Sequence, residues 1–104
     1  MKRKPAVAGQ FYSENPETLR QELRQYLAGG DHERSAVGIL VPHAGYVFSG
    51  HIAADAYKAV KVPQTVVLLG PNHHGLGSQA TVFASGSWRT PLGDVPIAED
   101  LAAR

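Results

Sequence analysis

The sequence predicts an α/β fold with a parallel-rich sheet and flanking helices. Two apolar runs of strand length, 36–42 and 65–69, are separated by a segment with helical periodicity. The order strand–helix–strand favours a parallel pair, because the chain must cross back over the sheet between the two strands. Both runs are almost continuously apolar, which is typical of strands that are covered on both faces. Since so few elements cannot readily cover both faces, we expect residues 1–104 to form the N-terminal part of a single larger domain, or a sheet that a partner completes.

The first helix is predicted over 16–28. Asn15 can cap the free amides of its first turn, and Pro16 is tolerated at the first helical position. Leucine and tyrosine side chains recur on one face at helical spacing, and the pair Gly29-Gly30 provides a stop.

The remaining elements follow from turn residues and periodicity. Pro42 ends the first strand, 44–48 is expected to be a loop, and Ser49 is expected to cap a second helix near 50–60. After the strand at 65–69 we expect a third short strand at 80–84. The segment 85–97 carries the turn signals Gly86, Pro91, Gly93 and Pro96, and another helix begins at Glu99.

Composition narrows the class of protein. The chain has a net charge of +1, with no basic stripe of the kind that binds nucleic acid. It has no cysteine, so disulfides and thiolate metal ligands from these residues are excluded. No apolar run approaches the length needed to span a bilayer, and the N-terminus does not resemble a signal peptide. We expect a cytoplasmic protein, and an uncovered sheet would favour a homo-oligomer.

Two histidines follow the two apolar runs, His43 after the first and His73 after the second. The carboxyl ends of parallel strands meet at one edge of a sheet, where open α/β folds place their ligands. Two imidazoles there could bind one metal ion and leave positions for a carboxylate, a thiolate or water. The alternative is that each imidazole only caps its strand through hydrogen bonds to loop amides. We favour the metal, because the two histidines occupy equivalent strand ends.

Three further residues are candidates for the same site. His74 would face away from His73 in extended backbone, so we assign it catalytic proton transfer or substrate contact, with a solvated loop histidine as the alternative. Arg89 is a candidate substrate-binding residue for anions, although an ion pair with Asp94 is favoured for it. Tyr46 could line a crevice at this edge of the sheet as a substrate-binding residue, or it could pack in the core.

Nucleotide binding is not indicated. Residues 70–75 have the glycine spacing of a phosphate-binding P-loop, but the lysine and the serine or threonine that should follow are replaced by Leu76 and Gly77, and no dinucleotide-binding fingerprint occurs.

Five blocks of this sequence resemble the MEMO-like family, whose bacterial and archaeal members are called AmmeMemoRadiSam system protein B. They are residues 5–12 (PAVAGQFY), 41–46 (VPHAGY), 49–57 (SGHIAADAY), 69–74 (LGPNHH) and 90–93 (TPLG). The blocks occur in the family's order across nearly the whole chain.

The resemblance implies a fold like that of class III extradiol dioxygenases. It implies that His43 and His73 are metal ligands, that the metal is iron or copper, and that the protein is metal-binding and redox-active. The family's third ligand, commonly a cysteine, lies in a C-terminal region that these residues do not include. The implied partners are radical-SAM and AMMECR-type proteins. Whether the chain is an enzyme stays open; if it is, we expect an iron- or copper-dependent oxidoreductase. The alternative is a non-catalytic peptide- or anion-binding module that uses the same crevice through Arg89.

Overall fold

The computed structural model describes residues 1–104 and shows short strands, three helices and long extended segments. The elements in chain order are β1 (Lys2–Arg3), α1 (Pro16–Tyr26), a π-helical turn (Tyr46–Gly50), α2 (His51–Ala59), β2 (Ser87–Thr90), β3 (Gly93–Pro96) and α3 (Glu99–Ala102). The chain is therefore α/β, as predicted.

The sheet is mixed, and the prediction of a parallel-rich sheet is wrong for the strands that form. Its order is β1-β2-β3, with β1 parallel to β2 and β2 antiparallel to β3. A two-residue turn, Pro91-Leu92, joins β2 to β3, and only an antiparallel pair can be joined so tightly. The sequence analysis assigned only turn signals to 85–97, and the structure shows that these glycines and prolines lie in and around a hairpin.

Helix α1 confirms the first predicted helix and ends two residues earlier than predicted. The Asn15 side chain accepts a hydrogen bond from the Thr18 amide at 3.0 Å, and Pro16 occupies the first turn. Gly29 has a φ of 80°, a left-handed conformation that glycine adopts without strain. Leu19 on this helix is buried, and α1 packs against α2.

Helix α2 confirms the second predicted helix, but its N-terminal cap was predicted wrongly. The expected loop at 44–48 ends in the π-helical turn, which runs straight into α2. Gly50, the residue before the helix, already has helical angles, so the helix has no free first turn for Ser49 to cap. Instead, the Ser49 hydroxyl donates to the Ala44 carbonyl at 3.2 Å.

The predicted strands at 36–42, 65–69 and 80–84 are extended but unpaired. No backbone–backbone hydrogen bond involves residues of these segments. A single parallel bridge joins Arg34 to Val60, and both of these residues precede the first two segments. An apolar run indicates that a strand will be buried, but it does not show which strand will accept and donate its backbone hydrogen bonds. The strand prediction is therefore not met within these 104 residues.

The chain buries few side chains. Only Leu19, Ala54 and Ser49 are buried. The radius of gyration of the Cα atoms is 14.7 Å, whereas a compact domain of this length has one of about 13 Å. The molecule is thus looser than an ordinary domain.

None of its helices combines the length and apolarity needed to cross a membrane.

Candidate metal site

The structure brings His43 and His73 together. Their ring centroids lie 5.2 Å apart, with the ring planes inclined at 52°. Two imidazoles whose nitrogens each lie about 2.1 Å from one ion would have centroids on the order of 5 Å apart. Both rings are solvent-exposed, so an ion could reach them. The donor type and the separation of the rings fit two ligands of one metal, and their role as ligands stays a prediction.

No third ligand from this chain joins the pair. The structure contains no group of three or more His, Cys, Asp or Glu side chains that could hold one ion. His74 is exposed and makes no hydrogen bond to the rest of the chain. Its predicted part in proton transfer or substrate contact stays a prediction.

The loop that carries His73 is shaped by Asn72. The Asn72 side chain donates to the Leu76 carbonyl at 2.8 Å and accepts from the Gly75 amide at 3.0 Å. Gly75 has a φ of 63°, which lets the chain reverse direction within the loop. The sequence analysis missed this role, although an asparagine shortly before a glycine is a known turn signal.

The loop that follows His43 is held by three hydrogen bonds, which we call the Tyr46 clamp. The Ser49 hydroxyl donates to the Ala44 carbonyl at 3.2 Å, and the Tyr46 amide donates to the Phe11 carbonyl at 2.8 Å. The Tyr26 hydroxyl donates to the Tyr46 carbonyl at 3.1 Å. The clamp ties the residues after His43 to α1 and to the N-terminal segment. The sequence analysis placed a tyrosine on the apolar face of the first helix and residues 5–12 in a matching block, but it gave neither Tyr26 nor Phe11 a part in holding this loop.

The Tyr46 side chain packs among aromatic rings. Its centroid lies 5.5 Å from that of Tyr12 and 6.1 Å from that of Tyr26, the latter edge-to-face. Burial raises the pKa of the Tyr46 hydroxyl above its usual value. Tyr46 also lines a cavity of about 310 Å³ between α1 and the 91–92 turn. Neither His43 nor His73 lines this cavity, and a larger one of about 530 Å³ beside α3 is likewise lined by other residues. Substrate binding by Tyr46 stays a prediction.

Arg89 is engaged in the sheet. It lies opposite Asp94 in the β2–β3 register, and its Nε donates to the Asp94 carboxylate at 3.1 Å. The Lys2 ammonium contacts the other oxygen of the same carboxylate at 2.6 Å. Hydrogen bonds from Lys2 and Arg89 lower the pKa of Asp94. The structure thus shows the ion pair that was favoured for Arg89, and substrate binding by Arg89 stays a prediction.

Comparison with known proteins identifies relatives over almost the whole chain. A family model described as Memo-like protein matches residues 3–104. The MEMO1 family protein of Methanopyrus kandleri is 47% identical over 115 residues, which cover 98% of this chain and 41% of the relative. Those of Methanosarcina barkeri and Aquifex aeolicus are each 46% identical and cover 96% and 95% of this chain. In both of them the matched part is 38% of the relative. The chain thus spans about two-fifths of the length of these curated relatives.

Proposed function

Because the chain belongs to the Memo-like family, we propose that it supplies two ligands of an iron or copper site. His43 and His73 would hold the ion in a protein related in fold to the class III extradiol dioxygenases. The observation that supports this proposal is the 5.2 Å separation of the two rings, which suits two imidazoles on one ion. A bound iron or copper ion would supply redox chemistry.

The third protein ligand would come from outside these 104 residues, since no third donor lies with the two histidines. Two imidazoles with open positions are typical of iron sites that are completed by one further anionic ligand. The Tyr46 clamp, which follows His43, and the Asn72 turn, which contains His73, would orient the two histidines. His74, adjacent to His73, would hold or move a proton near neutral pH through its own ring nitrogens. Radical-SAM and AMMECR-type proteins are the partners that we propose for the whole protein.

The metal proposal is tested by titrating the chain with Fe(II) under anaerobic conditions and with Cu(II) in air. We expect His43→Ala and His73→Ala each to weaken binding by at least about tenfold, because each removes a direct ligand. His51→Ala is the matched control, since His51 is an exposed histidine at the start of α2. Equal affinity in the wild type and in both ligand variants would contradict the proposal.

Binding of anions through Arg89 is less well supported. Its guanidinium is paired with Asp94, so an anion would have to displace that carboxylate. We therefore favour the metal-binding function.

A further inference from the structure

A cavity of about 310 Å³ lies between α1 and the tip of the β2–β3 hairpin, and we call it the α1–hairpin cavity. It is lined by Leu19 and Leu23 of α1, by Tyr12 and Tyr46, and by residues 90–92. Leu19 is buried, whereas Tyr12, Leu23 and Tyr46 are only half-buried, so the cavity can be reached from solvent. Pockets that bind small molecules begin at about 300 Å³ and have mostly apolar linings with a few polar groups. The size and the lining of this cavity therefore fit a ligand with a single aromatic ring.

The polar groups available in the α1–hairpin cavity are tyrosine hydroxyls. The Thr90 hydroxyl is already engaged, because it donates to the Gly93 carbonyl at 2.9 Å and accepts from the Leu92 amide at 3.1 Å. The hydroxyls of Tyr12 and Tyr46 make no hydrogen bond to the rest of the chain. These two hydroxyls are therefore free to bind a ligand.

Tyr46 is held in place both by its backbone and by its ring. Its amide donates to the Phe11 carbonyl, and its carbonyl accepts from the Tyr26 hydroxyl. Its ring packs with those of Tyr12 and Tyr26. A binding group that is already fixed loses little conformational freedom when a ligand arrives, which favours affinity.

The charge around the α1–hairpin cavity favours a neutral ligand. No Lys, Arg, His, Asp or Glu lines the cavity, so an ion would lose its hydration there without gaining a counterion. Burial, together with the nearby Tyr12 and Glu22, raises the pKa of Tyr46. The Tyr46 hydroxyl therefore stays protonated at neutral pH and offers a donor, for which a carbonyl oxygen is a matching acceptor.

From these observations we propose that the α1–hairpin cavity binds a small neutral aromatic molecule that carries a carbonyl oxygen. The aromatic ring packs against the leucines of α1 and against Tyr12, and the oxygen accepts a hydrogen bond from the Tyr46 hydroxyl. Neither His43 nor His73 lines this cavity, so the proposal concerns a second site and does not rest on metal binding.

Acetophenone is the probe for this site. It is titrated into the chain in the presence of a metal chelator, and binding is followed by NMR of the methyl groups of Leu19 and Leu23. We expect these methyl signals to shift in a saturable way. Benzoate has a similar shape but carries a charge, and we expect it to leave the same signals unshifted.

The contribution of the Tyr46 hydroxyl is measured with Tyr46→Phe and with α-methylstyrene, in which a CH2 group replaces the carbonyl oxygen of acetophenone. We expect the variant to bind acetophenone about fivefold more weakly, because one hydrogen bond is lost. Its affinity for α-methylstyrene should equal that of the wild type. The hydroxyl has no partner within the chain, so we expect the variant to fold normally, which circular dichroism checks.

Tyr57→Phe is the matched control for the loss of a tyrosine hydroxyl. Tyr57 is a half-buried tyrosine of α2 that does not line the cavity. We expect this variant to bind acetophenone and α-methylstyrene as the wild type does.

Three results would overturn the proposal. The first is the absence of saturable methyl shifts when acetophenone is added to the wild type. The second is binding of benzoate as tight as that of acetophenone, and the third is equal affinity of the wild type and Tyr46→Phe for acetophenone. Because the chelator is present throughout, these results are independent of the titrations with Fe(II) and Cu(II).

Discussion

The loop that follows His43 in the candidate site is held by the side chains of Ser49 and Tyr26. Ser49 is one of the few buried residues, and its hydroxyl reaches back to the carbonyl of the residue after His43. Tyr26 reaches across from α1 to the backbone of Tyr46. These contacts use backbone carbonyls, so the loop conformation depends on two hydroxyl groups far apart in sequence.

Replacing Ser49 with alanine should loosen the Tyr46 clamp. The Ala44 carbonyl would lose its donor, which costs about 1 kcal/mol for a typical intramolecular hydrogen bond. We expect the amides of Phe48 and Ser49, which both donate to Gly45, to exchange about five times faster. Hydrogen exchange followed by NMR measures this directly.

The control for this variant is Ser78→Ala, because Ser78 is exposed and makes no hydrogen bond. Unchanged exchange in Ser49→Ala, or an equal acceleration in Ser78→Ala, would show that the hydroxyl does not hold this loop.

At the scale of elements, the sheet is held by a charge cluster that joins all three strands. Asp94 on β3 contacts Lys2 on β1 and Arg89 on β2. Gly86, just before β2, has a φ of 87°, and a Cβ there would collide with the Met1 carbonyl. The N-terminal strand is thus fitted closely against the hairpin by both charge and shape.

The Asp94 cluster should make stability depend on pH in the acid range. The pKa of Asp94 is lowered in the folded chain by hydrogen bonds from Lys2 and Arg89. Its contribution is therefore fully present above the unfolded value of about 3.9 and is lost as the pH falls through the folded pKa. Thermal melts from pH 7 to pH 2 should show a smaller acid loss of stability in Asp94→Asn than in the wild type.

Asp100→Asn is the matched control, because Asp100 is an exposed carboxylate of α3 that makes no ion pair. Identical pH profiles for the wild type and Asp94→Asn would mean that the cluster does not stabilise the fold.

The elements also show how far sequence reasoning reaches. Both longer helices were predicted to within a few residues, because their periodicity and the Asn15 cap are local signals. The hairpin of β2 and β3 was missed, because each strand is only four residues long and the glycines and prolines around them are typical of turns. The strands at 36–42 and 65–69 were predicted from apolar character alone. They are unpaired in the structure, because pairing requires a neighbouring strand that the local sequence does not identify.

At the scale of the whole molecule, little apolar surface is removed from water. Three buried residues among 104 form a small core between α1 and α2. Hydrophobic burial is the main favourable contribution to folding, so the stability of this chain by itself should be low.

The small core predicts a shallow unfolding transition. The dependence of the unfolding free energy on urea scales with the surface exposed on unfolding, and small proteins typically give about 1–3 kcal/mol per molar urea. For the chain alone we expect a slope at or below the lower end of that range, measured by circular dichroism. A slope for the chain alone in the upper half of the range would contradict this picture.

The sequence by itself determined the α/β class, the two longer helices, the family and the identity of the two candidate ligands. These follow from local periodicity, capping residues and motifs that lie within short stretches of chain. Tertiary structure alone decided that the two rings lie 5.2 Å apart, that Lys2 shares the Asp94 carboxylate with Arg89, and that Tyr26 and Ser49 hold the loop after His43. It also decided that the two apolar segments stay unpaired. Each of these outcomes depends on which groups meet across the fold, and contacts between distant residues are not encoded in any local pattern.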